Sequence, residues 1–486
     1  MSITTALNHA LSGLTAAART GEVISTNIAN AATDGFARRE IELSSVTLGG
    51  YGAGVRVAGS NRVVDSAALA DRRIADADHA RAQTRADALS RIEDAIGADG
   101  GKDSIPGRIA ALDEALIAAA SRPDSTTRLG LVSTAASELA LTLKSATETV
   151  QQTRADADAA IARDVGILND TLVRIRDLNI QITALRAEGR DANGLFDERQ
   201  ALVDRISQIV PLREVPRRYD QIALFSESGA TLLDGRASVF GFAAAGNVVA
   251  DMSVGAGSLS GLTLNGQPVV AGDGGLMAGG RLAAAFSVRD TLGPAAQGEL
   301  DALARDLYER FSDPAVDATL PPGSPGLLTD TGGTFDPLLE VGLAGRLRVN
   351  PAADPAQGGA IWRVRDGLGA AAPGNVGDAA LLMRLSGALS SARNPATGAQ
   401  AGISTTASAL AASVLSGISV ARLGAEDDAT FAGTRRDQMD QIVKSSGVDS
   451  DDELRKLLLV EQNYSANAQV MRTMDELLRQ LLGILA

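Results

Sequence analysis

Ile-Thr-Thr-Ala-Leu-Asn-His-Ala-Leu-Ser-Gly-Leu-Thr-Ala-Ala-Ala-Arg-Thr-Gly-Glu-Val-Ile-Ser-Thr-Asn-Ile-Ala-Asn-Ala, residues 3–31, decides the architecture. Alternating steps of four and three pick out Ile3, Leu7, Ala10, Leu14, Ala17, Gly21, Ile24, Ile28 and Ala31. That is a seam with a repeat of about 3.5 residues, the spacing of paired helices. Asn8, His9, Ser12, Thr15, Arg19, Glu22 and Thr26 fall off it. The seam ends at 33–35, where Gly35 can take the positive φ of a turn after a helix. The other terminus mirrors it with Leu457, Val460, Tyr464, Asn467, Met471, Met474, Leu478, Leu481 and Leu485. Helices of this length are marginal alone, and a one-sided apolar seam needs a partner. The two termini are expected to pair with each other.

Working inward, 41–43 and 55–57 alternate like short strands, and helices are expected over 66–96, 106–120 and 126–188. The last holds no proline and only Gly130 and Gly166, so it would reach roughly 90 Å. Residues 191–195 read as a turn and 197–210 as a helix stopped by Pro211. From 212 to 276 β-branched stretches alternate with turns such as Asp234-Gly235 and Asn265-Gly266. Helix returns at 281–311, 378–390 and 405–446, around a Gly- and Pro-rich stretch, 313–377, that carries Trp362. The expected fold class is mainly α with a β-rich insertion (α+β), elongated. Paired terminal helices (1–48 and 449–486) would join a long-helix bundle (49–210, 279–312 and 378–448), with the β-rich insertion at 211–278 and an irregular outer segment at 313–377.

Composition narrows function. The chain has 486 residues, enough for several domains, and is 45% hydrophobic but only 3% aromatic, so its core must rest on Ala, Leu, Val and Ile. A net charge of −14 repels nucleic acid and anionic membranes. With no cysteine, there is no disulfide, thiolate metal site or thiol nucleophile. The opening Met-Ser-Ile-Thr-Thr-Ala-Leu lacks the basic region of a cleaved secretion signal, so an exported chain is expected to use another route. The uncharged stretch 394–421 is broken by Ser, Thr and Gly, and no transmembrane helix is expected.

No catalytic, metal or cofactor-binding residue is expected. His9 and His79 lack zinc-peptidase spacing and read as polar helix-face residues. Gly255-Ala256-Gly257-Ser258-Leu259-Ser260-Gly261 has the wrong spacing for a phosphate loop. A carboxylate pair for sugar-chain hydrolysis stays open as an alternative, because spatial separation decides it. Glu426-Asp427-Asp428 and the run at 449–453 read as solvated faces or as negative charge ahead of a helix N-terminus.

Residues 11–40 resemble the N-terminal signature of flagellar rod, hook and hook-associated proteins: a small-residue helix, Ser25 or Thr26, then Asn27-Ile28-Ala29-Asn30, then Thr33, Gly35 and Phe36. Gln462-Asn463-Tyr464-Ser465-Ala466-Asn467-Ala468, followed by Met471, Met474, Asp475 and Leu478, looks like the matching C-terminal motif. Asp197-Glu198-Arg199-Gln200-Ala201-Leu202-Val203-Asp204, and Gly279-Gly280-Arg281-Leu282 leading to Arg289-Asp290, resemble the hook-associated protein 1 branch. Phe36 stands where the family more often has Tyr, and Arg39 where it often has Gln.

The resemblance implies a non-enzymatic subunit of the extracellular flagellum, exported through the flagellar type III apparatus and joining hook to filament. Implied partners are hook protein, hook-associated protein 3, copies of the chain in a helical tube, and an export chaperone. Another axial component, a rod or hook protein or hook-associated protein 3, is the alternative within the family. Assembly would rest on Ile3, Leu7, Leu14, Ile24, Asn27, Ile28, Asn30, Gly35 and Phe36, and on Leu457, Val460, Tyr464, Asn467, Met471, Met474, Leu478, Leu481 and Leu485. The chaperone would grasp Leu457, Val460, Tyr464, Met471, Met474 and Leu478.

Overall fold

The computed structural model describes residues 3–33, 35–48, 51–97 and 101–485, apart from the side chains of residues 48, 51, 481 and 483–485. Asp34 and the side chains of Leu481 and Leu485 therefore lie outside the described residues. The order opens with α1 (Ile3–Ala29), β1 (Arg39–Leu48), β2 (Tyr51–Arg62), α2 (Ser66–Ile96), α3 (Ile105–Ser121), α4 (Thr126–Ala187) and α5 (Asn193–Ser207). Strands β3 (Leu212–Pro216), β4 (Ile222–Ser226), β5 (Thr231–Asp234), β6 (Arg236–Ala237), β7 (Phe240–Gly241), β8 (Leu262–Leu264) and β9 (Gln267–Val269) follow. Then come α6 (Gly280–Ser287), α7 (Gly293–Phe311), β10 (Leu328–Asp330), α8 (Leu343–Arg346), β11 (Leu347–Val349), α9 (Arg363–Asp366), α10 (Ala380–Ser390), α11 (Ala407–Ser445) and α12 (Ser450–Leu485). The fold is mainly α, with small antiparallel sheets.

Two compact units divide the chain: 1–79, 166–239 and 432–486 form the first, and 80–165 with 240–431 the second. Helices α2, α4 and α11 contribute to both. Helix α4 runs unbroken for 62 residues, and neither Gly130 nor Gly166 interrupts it. Its seam residues Leu139, Leu143, Ala146 and Val150 are fully buried in the second unit, and Leu168, Leu172 and Ile175 in the first.

The stretch expected as one β-rich insertion forms two sheets, β3-β4-β5-β6 in the first unit and β7-β8-β9 in the second. The segment 313–377 is irregular, with a single β10–β11 pair. Yet Leu327, Leu328, Leu343, Leu347, Val349 and Val364 are buried with α3, α4 and α7 in the core of the second unit. The apolar opening of α11 has the length and composition of a membrane span. Its Ala407, Leu410, Ala411, Val414 and Ile418 are instead taken up by that core.

The helix expected at 281–311 forms, and it carries a π-helical turn, Val288–Leu292, between α6 and α7. The cause is an inserted side chain. Arg154 lies almost fully buried, takes the carbonyl of Arg289 through Nε (2.8 Å), and runs so close to Gly293 that a Cβ there would sit 2.5 Å from its Cγ. Arg289, itself fully buried, pairs with Asp158 (2.7 Å) and Asp290 (2.8 Å) between the rings of Phe242 and Phe286. Arg281 is bidentate on Asp164. The Gly-Gly-x-Leu and Arg-Asp motif thus builds a satisfied ionic core, as buried charges require.

Candidate assembly site at the paired termini

Helix α1 lies along α12, as its seam requires, with small residues at the closest approach. A Cβ on Gly21 would touch Val460 and Leu457 at 3.8 and 3.9 Å. One on Gly13 would fall 2.8 Å from the Asn467 amide, whose Nδ2 donates to Asn463 O (2.9 Å). Ala10, Ala17 and Ile24 are buried, while Ile3, Leu7, Leu14 and Ile28 are partly covered. Across the seam Leu457, Val460, Asn467, Met471, Met474 and Leu478 are partly covered, and Tyr464 remains 45% exposed.

The pairing is pinned at one end. Asn27 is fully buried, its Nδ2 donates to Glu453 Oε2 (2.8 Å) and Arg39 O (2.9 Å), and its Oδ1 accepts from Arg39 N–H (2.9 Å). Glu453 also accepts from Lys456 Nζ (2.9 Å) and faces Arg38 (3.9 Å). One amide therefore ties α1, β1 and α12 together. Glu453 is here a buried partner and not a solvated charge ahead of the helix. The helix starts at Ser450, seven residues before its first seam residue, Leu457, with Asp449 Oδ1 accepting from Asp451 N–H (2.9 Å).

After the helix, Asn30 Nδ2 donates to the backbone carbonyl of Thr26 (2.9 Å), a contact that does not depend on the side chain there. Gly35 adopts φ +77°, and a Cβ there would lie 2.9 Å from both Asp197 O and Ala201 Cβ. Phe36 lies under the Arg39 guanidinium at 5.0 Å, so the two departures from the family pattern touch each other. Asp197 receives Arg39 (2.8 Å), Arg62 (2.8 Å) and the Ala37 N–H (3.3 Å).

The Asp-x-Arg-x-x-Leu-x-Asp helix is thus a receptor for the N-terminal turn and hairpin. Its Asp204 holds Arg72 and Arg73. Its Arg199 donates to Asn179 Oδ1 (2.8 Å) and Asp220 O (2.7 Å), and burial pulls its pKa down to about 10.

Three contributors were not legible. His9 Nε2 bonds Gly52 O (2.9 Å), and Ser12 Oγ accepts from Val55 N–H (3.2 Å), laying the β1–β2 hairpin on α1. Glu453 had looked like simple charge at a helix start. No group of three or more His, Cys, Asp or Glu that could hold a metal occurs among the described residues.

Comparison with known proteins bears on both ends and the middle. Residues 7–36 match the flagella basal body rod protein model and 439–484 the flagellar basal body rod FlgEFG protein C-terminal model. Residues 89–315 match the flagellar hook-associated protein FlgK helical domain. Together these span well over half of the chain. Both ends and the middle of the chain are thus similar to flagellar axial proteins. Its relatives include flagellar hook-associated protein 1 of Bacillus subtilis, 24% identical over 43% of this chain and 43% of that protein. The protein of that name from Salmonella typhimurium is 27% identical over 47% of this chain and 42% of its own length. The matches thus span less than half of each relative. Among solved structures, the flagellar hook junction protein FlgK from Burkholderia pseudomallei aligns with TM-score 0.43 and 18% identity, over 54% of this chain and 46% of that one.

Proposed function

We propose that the chain is a non-enzymatic subunit at the hook–filament junction, joined to its neighbours through α1 and α12. The observation that carries this reading is the set of large apolar side chains that α12 leaves uncovered. Leu454, Leu458, Leu459, Val470, Leu477 and Leu482 are 40–65% exposed although the helix already has α1 as a partner. Apolar side chains left exposed along a helix that is already paired mark an interaction surface. In a tube built by a repeating, non-closing contact, each pair would bury them on neighbouring copies. Hook protein below, hook-associated protein 3 above and further copies of the chain are the neighbours on this reading. The middle match to a hook-associated domain favours the junction over the rod.

An export chaperone would bind Leu457, Val460, Tyr464, Met471, Met474 and Leu478. Since those residues face α1, chaperone and α1 compete for one surface, and the pair closes only after export. Deletion of residues 1–30 tests the reading. Flagellin shed into the medium from cells with intact hooks is the expected result. Filaments still attached, or hooks missing, would overturn the junction assignment.

A further inference from the structure

Between β3 and β4, Tyr219 (φ 61°, ψ 37°) and Asp220 (φ 60°) are consecutive left-handed residues, neither of them glycine. That conformation is uncommon for a bulky side chain and is retained only where the surroundings hold it. They do so here. Thr183 Oγ1 donates to Tyr219 O (3.1 Å), Arg199 to Asp220 O (2.7 Å), and Arg186 Nε to the Asp220 carboxylate (3.0 Å). The same chain makes a left-handed turn between β8 and β9 with Asn265-Gly266, the pair that costs least there. Backbone geometry alone would favour Asn-Gly at 219–220 as well, so the tyrosine side chain is what the turn retains.

Tyr219 is 73% exposed and held on a braced turn. Beside it the Arg217 guanidinium stacks near Phe225 (5.8 Å) and pairs with Asp234, while Arg218 is exposed; elsewhere on the same sheet Arg213 of β3 and Arg236 of β6 are exposed too, and none of these three makes an ion pair among the described residues. A rigid tyrosine with free arginines is the composition of an interface anchor. These unpaired arginines sit on a chain of net charge −14, whose own surface is therefore their natural complement.

We infer that the β3–β4 turn docks, through Tyr219 and Arg218, onto an acidic surface of a second copy of this chain. The inference rests on the assembly reading above and adds to it a contact outside the terminal helices.

The test replaces Tyr219 by p-benzoylphenylalanine in the producing bacterium and irradiates isolated flagella. The expected adduct has the mass of two copies, with the partner site in an Asp- and Glu-rich peptide. No adduct, or an adduct with a different protein, overturns the inference. Tyr219→Asn should relieve the turn and raise Tm by about 2–4 °C while preserving the fold. With Arg218→Ser added, a cross-link placed elsewhere on the β3–β6 sheet should fall in yield about tenfold. Undiminished yield also overturns it. If the chain is absent from isolated flagella, the assembly reading fails too; if it is present without a self-adduct at 219, only the turn contact fails.

Discussion

Asn27 and Glu453 are 426 residues apart in sequence and 2.8 Å apart in space, joined by a buried hydrogen bond that locks the first helix to the last. Glu453 is buried and pairs with Lys456, so the amide does more than add one contact. Removing it strips a donor from a buried charge and leaves the Arg39 N–H without its acceptor.

Asn27→Ala is therefore expected to weaken the terminal pairing by about 2–4 kcal/mol. Amide hydrogen exchange over 450–470 should accelerate by about thirtyfold or more. Exchange within a factor of two of the parent would refute the clamp. Asn27→Asp should be worse, because it sets two carboxylates face to face.

Gly35→Ala should destabilise the first unit by about 2–4 kcal/mol, since the left-handed backbone and the Asp197 carbonyl both oppose a Cβ. A thermal melt with Tm unchanged to within a degree would show that the turn is not held as described.

Asp197→Ala removes the anion shared by Arg39 and Arg62, both less than one-fifth exposed. The expected loss is about 1–3 kcal/mol, read by urea unfolding with a probe on the β1–β2 hairpin. A double-mutant cycle with Arg62→Ala should show coupling, and strict additivity would argue against the shared site.

Asp301 makes stability in the second unit depend on pH. Burial pushes its pKa up to about 6 from an ordinary 3.8, against the opposing N–H groups of Gly342 and Ala344. The folded state therefore holds its proton more tightly than the unfolded state. Relative to Asp301→Asn, the parent should lose stability, on the order of 3 kcal/mol, as pH rises from about 4 to 6, with no further change above that. Two parallel pH profiles would disprove this.

Hydrogen exchange along the free chain should be graded. Protection is expected near Asn27 and the start of α12, where Ile24, Asn27 and Glu453 are buried. Exchange should quicken toward the exposed Leu477 and Leu482. Uniform protection through residue 482 would contradict an end that orders only against neighbours.

The sequence by itself determined the helices and the partners of the seams. Periodicity is a local property, so Ile3 to Ile28 and Leu457 to Leu478 declared both the pairing face and the need for a partner, and the absence of proline declared α4. Turn chemistry was equally local at Asn265-Gly266. What only the tertiary structure decided was the fate of charges and irregular chain. Glu453, Asp197 and Arg154 look in sequence like any solvated charge. Their burial depends on which distant N–H, guanidinium or carbonyl reaches them, and no spacing records that. For the same reason 313–377 shows no periodicity yet contributes buried leucines to the core, and one apparent helix at 281–311 turns through a π-helical step around the Arg154 side chain.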